Sequence, residues 1–272
     1  MLNQQKIKYL LSFLSVSMAV LILVLSVNVY GYGYEKETLA INNPQHVKFK
    51  ASADDDFLLE ADYYPGEQKS GGVIVLHDCK SDRSRYSKMA NSFFQQGLHT
   101  LSLDLRGYGG STSAKYSREV IKNNAIDIVG YHSEMALLTT YWQDDLIAAY
   151  QFLRSKIDSN QGIAIVASGC SAAYGVALAD RVLLTAIVMI TPQMTYADKE
   201  RYKNLIDIPS YFITSSHHAD SYKVAQELFS WNGSTKSKMQ IFKGDRYDYH
   251  LIARQKSLID DITYWIDWNV SK

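Results

Sequence analysis

Short runs of uninterrupted apolar residues, each followed by an amphipathic stretch, constrain this chain more than any other feature. Gly72-Val73-Ile74-Val75-Leu76, Ala186-Ile187-Val188-Met189-Ile190 and Tyr211-Phe212-Ile213, with residues 162–166, are too short for helices and do not alternate like a half-exposed strand. Strands of this kind are covered on both faces, the condition of a parallel sheet. Thr100-Leu101-Ser102-Leu103 adds another strand, and helical patterns lie between the runs over 86–96, 142–154, around Ala177 and Leu178, and over 224–229. Met239-Gln240-Ile241-Phe242 precedes a last helix ending near Trp268. The alternation predicts an α/β fold, a mostly parallel central sheet with helices on both faces. Residues 47–50 and 57–64, split by Asp54-Asp55-Asp56 and closed by Pro65-Gly66, predict an antiparallel pair ahead of it.

The first segment differs in kind. Lys6 and Lys8 precede a charge-free apolar run over 9–30, predicting an N-terminal hydrophobic helix ahead of the sheet. Its length suits a membrane anchor, whereas its serines and Val29-Tyr30-Gly31 suit a cleaved signal peptide, and both readings of residues 1–31 stay open. Either way the domain is exported, membrane-anchored with an extracytoplasmic domain or secreted or periplasmic after cleavage. Residues 32–45 read as a tether and 46–272 as one domain. Basic and acidic side chains balance at 28 each, which excludes a surplus of cations for a nucleic-acid backbone.

Chemistry is expected where reactive side chains meet the carboxyl ends of the strands. Residues 163–173, Ile-Ala-Ile-Val-Ala-Ser-Gly-Cys-Ser-Ala-Ala, run from a buried strand through a turn of small residues into a helix. Gly169 relieves the turn, and a serine at 171 there stands on a tight elbow with the N–H of Ala172 at a helix N-terminus. Asp220 follows the strand at 211–213, and His250 follows the strand at 239–242. An unassisted serine hydroxyl is a poor nucleophile, so a histidine must take its proton and a carboxylate must hold that histidine.

The order serine, acid, histidine resembles that of the α/β-hydrolase superfamily. So do Ile208-Pro209-Ser210-Tyr211-Phe212-Ile213 ahead of the acid loop and Asp104-Leu105-Arg106-Gly107-Tyr108-Gly109-Gly110-Ser111, whose Asp–Arg spacing is expected to tie a loop. His77-Asp78-Cys79 resembles the family's His-Gly-x loop, with Asp78 in place of glycine and expected to point outward. The resemblance covers about residues 46 to 268. It implies Ser171 as nucleophile, Asp220 as acid and His250 as base, with the backbone N–H groups of Cys79 and Ala172 as the oxyanion hole. No metal and no cofactor is implied. Leu251 stands where the family often has glycine.

Competing assignments are weighed beside these. Asp245 and Asp248 flank His250 but read as turn residues; His217 and His218 lack the spacing of a metal site; Cys170 as nucleophile loses the glycine two places before it. The segment between the sixth strand and the next helix is too short for a full cap, leaving the stretch 114–140, with Met135, Leu137 and Leu138, as the covering element. The expected activity is hydrolysis of a carboxylic ester or thioester, a small-molecule acyl substrate, through an acyl-enzyme at Ser171. A serine peptidase or amidase of the same fold, or an inactive hydrolase-like envelope protein, are the alternatives. Cys79 and Cys170, the only cysteines, are expected close together on neighbouring loops, as a disulfide or as packed thiols.

Overall fold

A computed structural model describes residues 44–52, 55–255 and 257–271. The expected membrane segment and nearly all of the tether lie outside the described residues. Among the described residues, no helix is long and apolar enough to cross a membrane.

Among the described residues eight strands form one sheet: β1 (Gln45–Ser52), β2 (Asp55–Tyr64), β3 (Gly72–Leu76), β4 (His99–Leu103), β5 (Ile163–Ser168), β6 (Ala186–Ile190), β7 (Ser210–Ser215) and β8 (Lys238–Phe242), in the order β1-β2-β4-β3-β5-β6-β7-β8. The β1/β2 and β2/β4 pairs are antiparallel, and every later pair is parallel. Its helices are α1 (Ser87–Gln95), α2 (Arg118–Asn124), α3 (Ile128–Thr139), α4 (Trp142–Arg154), α5 (Ser171–Ala179), α6 (Tyr196–Tyr202), α7 (Ala219–Trp231), α8 (Asp248–Arg254) and α9 (Leu258–Val270).

The strand side chains divide by parity, as a period of two requires. Ile74, Leu76, Leu101, Leu103, Ile165 and Met189 share one core with Trp142 and Leu146 of α4 and Val176 of α5. Val73, Val75, Val166, Val188 and Ile213 share the other with Met89 and Phe93 of α1 and Ile262 and Ile266 of α9. Both faces are covered, so the strands can be wholly apolar without exposing any of it.

The segment between β4 and α4 folds as α2 and α3, two helices joined by a short turn. Ser117 caps α2 through Val120 N–H, and Asp127 caps α3 through Gly130 N–H at 2.7 Å. Among its residues α3 buries only Leu138, which packs on Gly107. Arg106 anchors the base of this hairpin. Its guanidinium pairs with Asp145 of α4 and Asp55 of β2, and lies over the rings of Phe57, Tyr116 and Tyr141. The expected Asp104–Arg106 tie is not made: Asp104 pairs with Arg83 and accepts from Gly110 N–H. The spacing is used to point two buried charges at different partners, one on each side of the loop.

Candidate functional site

The turn that leaves β5 reaches its apex at Gly169. Its φ of +57° lies in the left-handed region, where a side chain is strained, while Cys170, the next residue, is already right-handed at −65° and caps α5. Apex and flanking residues therefore read Ala167-Ser168-Gly169-Cys170-Ser171, with small residues two places on either side. The pattern Gly-x-Ser-x-Ala fitted the elbow two residues too late, and the backbone decides the register because only Gly169 can adopt the apex conformation cheaply.

Ser171 consequently lies in the first turn of α5, fully buried. Its hydroxyl accepts from Ser168 N–H and donates to the Ser168 carbonyl, both at 2.9 Å, so it closes the end of β5 instead of facing a substrate. Asp220, in the first turn of α7, is exposed. His250 lies within α8, not in a loop, and is exposed, its ring 5.9 Å from that of Tyr249 and 6.3 Å from that of Tyr247. Among the described residues no hydrogen bond joins Ser171, Asp220 and His250. The expected triad is not assembled. Ala172 N–H is also committed, donating to the Gly169 carbonyl at 3.3 Å.

The charged residue that α8 turns inward, beside Leu251 and Ile252, is Asp248, its first. Asp248 has a φ of +51° and is 4% exposed. Its carboxylate Oδ1 accepts from the Thr191 hydroxyl at 2.6 Å, and its N–H donates to the Thr191 hydroxyl oxygen at 2.9 Å. Thr191, just beyond β6, is itself left-handed at +43°. Two strained non-glycine residues holding one another beside the apex are the kind of outlier that marks a functional site. A Cβ placed on Gly169 would lie 2.7 Å from Asp248 Oδ1, so this carboxyl group fills the space into which an apex side chain would point. Burial, with the charge of Asp78 adding to it, pushes the Asp248 pKa up to about 6 against the Thr191 bond and Lys80.

Asp78 is buried rather than turned outward. Its carboxylate accepts from Lys80 N–H at 2.8 Å, the Ser81 hydroxyl at 2.9 Å and the Tyr86 hydroxyl at 2.7 Å. Burial and this carboxylate raise the Tyr86 pKa well above its ordinary value, keeping the phenol a donor. His77 donates from Nδ1 to the Asp78 carbonyl at 2.7 Å and accepts Leu105 N–H at Nε2, at 3.1 Å, a pattern that requires the neutral ring; burial lowers its pKa accordingly.

Cys79 and Cys170 are joined by a disulfide with Cα atoms 5.9 Å apart. Of the two states left open by the sequence, the bridge is the one formed. The register explains it: Leu76 of β3 lies opposite Ala167 of β5, so the two loops leave the sheet side by side. Neither Cys79 N–H nor Cys170 N–H has an acceptor among the described residues. The bridge thus fixes two unpaired backbone donors on either side of the turn. Ser168 Oγ is buried beside them at the end of β5, next to the Asp248 carboxylate and the Tyr86 hydroxyl. His218 bonds the Ser221 hydroxyl at 2.7 Å and lies 4.8 Å from the Tyr247 ring. No group of three or more His, Cys, Asp or Glu able to hold a metal occurs among the described residues.

Neither a protein-family model nor a curated protein sequence matches this chain. Solved structures do. A dienelactone hydrolase from Anabaena variabilis superposes with a TM-score of 0.60 at 13% identity, over 84% of this chain and 97% of that one. The chain has the α/β-hydrolase fold. An esterase from Pyrococcus furiosus gives 0.57 at 14% identity, over 84% and 92% of the two chains, and a cold-adapted esterase from an Arctic intertidal metagenomic library gives 0.57 at 12%, over 83% and 93%. In this chain the elbow of the α/β-hydrolase fold carries glycine at its apex, and the segment after β8 contributes a carboxylate. Sequence order alone pointed two residues further along in each case, to Ser171 and His250.

Proposed function

We propose that this protein is a hydrolase of small acyl compounds that works by direct attack of water rather than through an acyl-enzyme, with Asp248 as general base. The observation that carries the reading is the seat of Asp248 over Gly169. A carboxylate with a pKa near 6 is ionised at neutral pH yet basic enough to take a proton from water, and it stands where the fold would otherwise present a nucleophile. Water attacking an ester or thioester carbonyl gives up its proton to Asp248. The negative charge that develops on the carbonyl oxygen meets the N–H groups of Cys79 and Cys170, which the disulfide holds in advance of the reaction. Collapse of the tetrahedral species expels the alcohol or thiol, which takes the proton back from Asp248. Every step uses groups of this chain and leaves no covalent intermediate.

The same observation supports a second reading, a binding protein without turnover, because a carboxyl group packed against the apex also narrows the space for a substrate. One experiment separates the readings. The full chain is treated with a fluorophosphonate probe and assayed with a series of short-chain acyl esters and thioesters. The proposal expects turnover without labelling and a profile that rises through about pH 6. It also expects Asp248→Asn to turn over at least about 100-fold more slowly, within the range of general-base catalysis. Stoichiometric labelling that disappears in Ser171→Ala would return the function to an acyl-enzyme. Saturable binding of a non-hydrolysed acyl analogue without turnover would establish the second reading. For location, we propose an exported protein held to the membrane through residues 9–30.

A further inference from the structure

Of the eight large aliphatic side chains left exposed among the described residues, five lie on one hairpin. Ile126 is fully exposed, Val129 is 69%, Ile128 65%, Leu137 62% and Val120 42% exposed, and all five belong to the α2–α3 hairpin. Single exposed apolar residues are ordinary on a protein surface, but a contiguous group of them is not. Val120, Ile126 and Val129 line a groove of about 700 Å³ between the two helices, whose other walls carry Lys115, Asp127 and Glu134. Within α3 the sequence Ile-Val-Gly-Tyr-His-Ser-Glu-Met-Ala-Leu-Leu-Thr carries a single carboxylate and no lysine or arginine, and only Leu138 is used by the core. A helix that is mostly apolar yet buries one side chain has been left with a face to cover.

We propose that the α2–α3 hairpin docks on a lipid bilayer and lays the carboxyl end of the sheet against it. The inference rests on reading residues 9–30 as a membrane anchor. That run keeps the domain beside a bilayer, and the length of chain that follows permits the contact. Residues 31–44, fully extended, span at most about 45–50 Å. They join β1 at Gln45, which lies opposite Tyr63 and so level with Leu101 in the middle of β4, and β1 runs from there past the carboxyl end of the sheet. The connection therefore reaches past the length of the sheet, and the hairpin can meet the same membrane that holds the anchor.

The hairpin is positioned for this role. It follows directly from the loop after β4, and Tyr116 and Tyr141 at its base stack edge to face at 5.1 Å over Arg106. Phe57 of β2 meets Tyr116 at 5.3 Å, so the hairpin is braced against the sheet on the side away from its apolar tip. Buried at the level of the headgroup and acyl boundary, Ile126, Ile128 and Val129 leave water as interfacial apolar faces do. Such a placement opens the site towards the lipid phase and makes its ligand class amphiphilic: acyl compounds that partition into the bilayer.

The test uses the full chain reconstituted in bilayer discs of phosphatidylcholine, with and without bromine on the acyl chains. Ile128→Trp places a reporter on the hairpin. Leu183→Trp, at an exposed position near the amino ends of the strands, is the control. Bromolipid is expected to reduce the added emission of Ile128→Trp at least twofold more than that of Leu183→Trp, and adding Val129→Asp should reverse the difference; Val129→Trp serves if Ile128→Trp misfolds. Equal quenching in chains that stay with the discs overturns the docking while leaving the anchor intact. Loss of the chain from the discs on washing overturns the anchor and the docking with it. Absence of quenching together with cross-linking between copies that Val129→Asp removes would assign the face to a second copy. Turnover of water-soluble esters is read separately, so the catalytic proposal can fail without this one, and the reverse.

Discussion

Asp248 and Gly169 occupy one space: the carboxyl group of the first residue of α8 lies where a side chain on the apex of the β5–α5 turn would have to go. Each residue explains the other. The left-handed apex favours glycine on backbone grounds alone, and the absence of a Cβ there leaves room for the buried carboxylate and its bond to Thr191. Gly169→Ser adds a clash with Asp248 Oδ1 to a strained φ, and is expected to lower stability by about 2–3 kcal/mol. Urea unfolding would measure it. In an Asp248→Ala background the same substitution should cost at least about 1 kcal/mol less, since the clash is removed and only the backbone strain remains. Equal costs in the two backgrounds would show that the carboxylate moves aside freely.

Ser171→Ala is expected to act on stability and not on turnover. The hydroxyl is the acceptor for the buried N–H of Ser168, and removing it leaves that donor unpaired, a loss of about 1–3 kcal/mol. Activity per folded molecule should match the parent within twofold. Turnover slowed by orders of magnitude at unchanged stability would contradict the placement of Ser171 as a structural residue.

How much of this was legible beforehand can be judged residue by residue. The sheet was, because buried strands such as Val73–Leu76 and Ile187–Ile190 have a pattern that few other elements share. Proximity of Cys79 and Cys170 followed from strand order, and the bridge between them required only that their loops leave neighbouring strands. The site was not legible, for a local reason. Spacing rules locate an elbow to within a residue or two, and the decisive quantity is which residue bears the positive φ, a property of the backbone that Gly-x-Ser-x-Ala and Ala-x-Gly-x-Ser satisfy equally as strings. The same two-residue error separates His250 from Asp248: on a helix, residues two apart face opposite sides, so one is exposed and the other buried. Glycine at 169 was visible as the single glycine of the turn, and was the available signal. Asp78 was misjudged because its bonds to Ser81 and Tyr86 depend on how the loop after it folds back, which spacing does not show.

Reduction of the disulfide should destabilise the fold without dissolving it. The bridge closes a loop across a sequence separation of 91 residues, for which loss of chain entropy in the unfolded state corresponds to about 4–5 kcal/mol. The native loops are also held by the β3–β5 ladder, so circular dichroism of the reduced chain at 25 °C should keep the folded spectrum while the denaturant midpoint falls. Under the catalytic proposal turnover slows as well, because Cys79 N–H and Cys170 N–H are no longer fixed relative to each other. Unchanged turnover in the reduced, folded chain would remove these two amides from the mechanism.

The last prediction concerns pH and sets activity against stability at one residue. Asp248 has a folded pKa of about 6, above the roughly 3.9 of an unfolded aspartate. Between these values the folded state binds more proton than the unfolded state, so this group's contribution to stability is greatest below about pH 4, declines as pH rises to about 6, and is constant beyond. Asp145, pushed up to about 6 by burial despite its pairing with Arg106, adds a second decline over the same window. Asp248→Asn keeps an acceptor for the Thr191 hydroxyl and carries no charge to desolvate. It is therefore expected to gain up to about 3 kcal/mol over the parent at pH 7, to gain little at pH 4, and to retain only the part of the pH slope that Asp145 supplies. The same substitution removes the proposed base. Denaturant midpoints of parent and variant at pH 4, 5, 6 and 7, set beside turnover at pH 7, would show a more stable and less active protein if the carboxylate is held in its strained, buried seat for the reaction. A variant that is less stable than the parent at pH 7 would mean that Asp248 is ionised there at no cost, and its use as a base with a raised pKa would lose its physical ground.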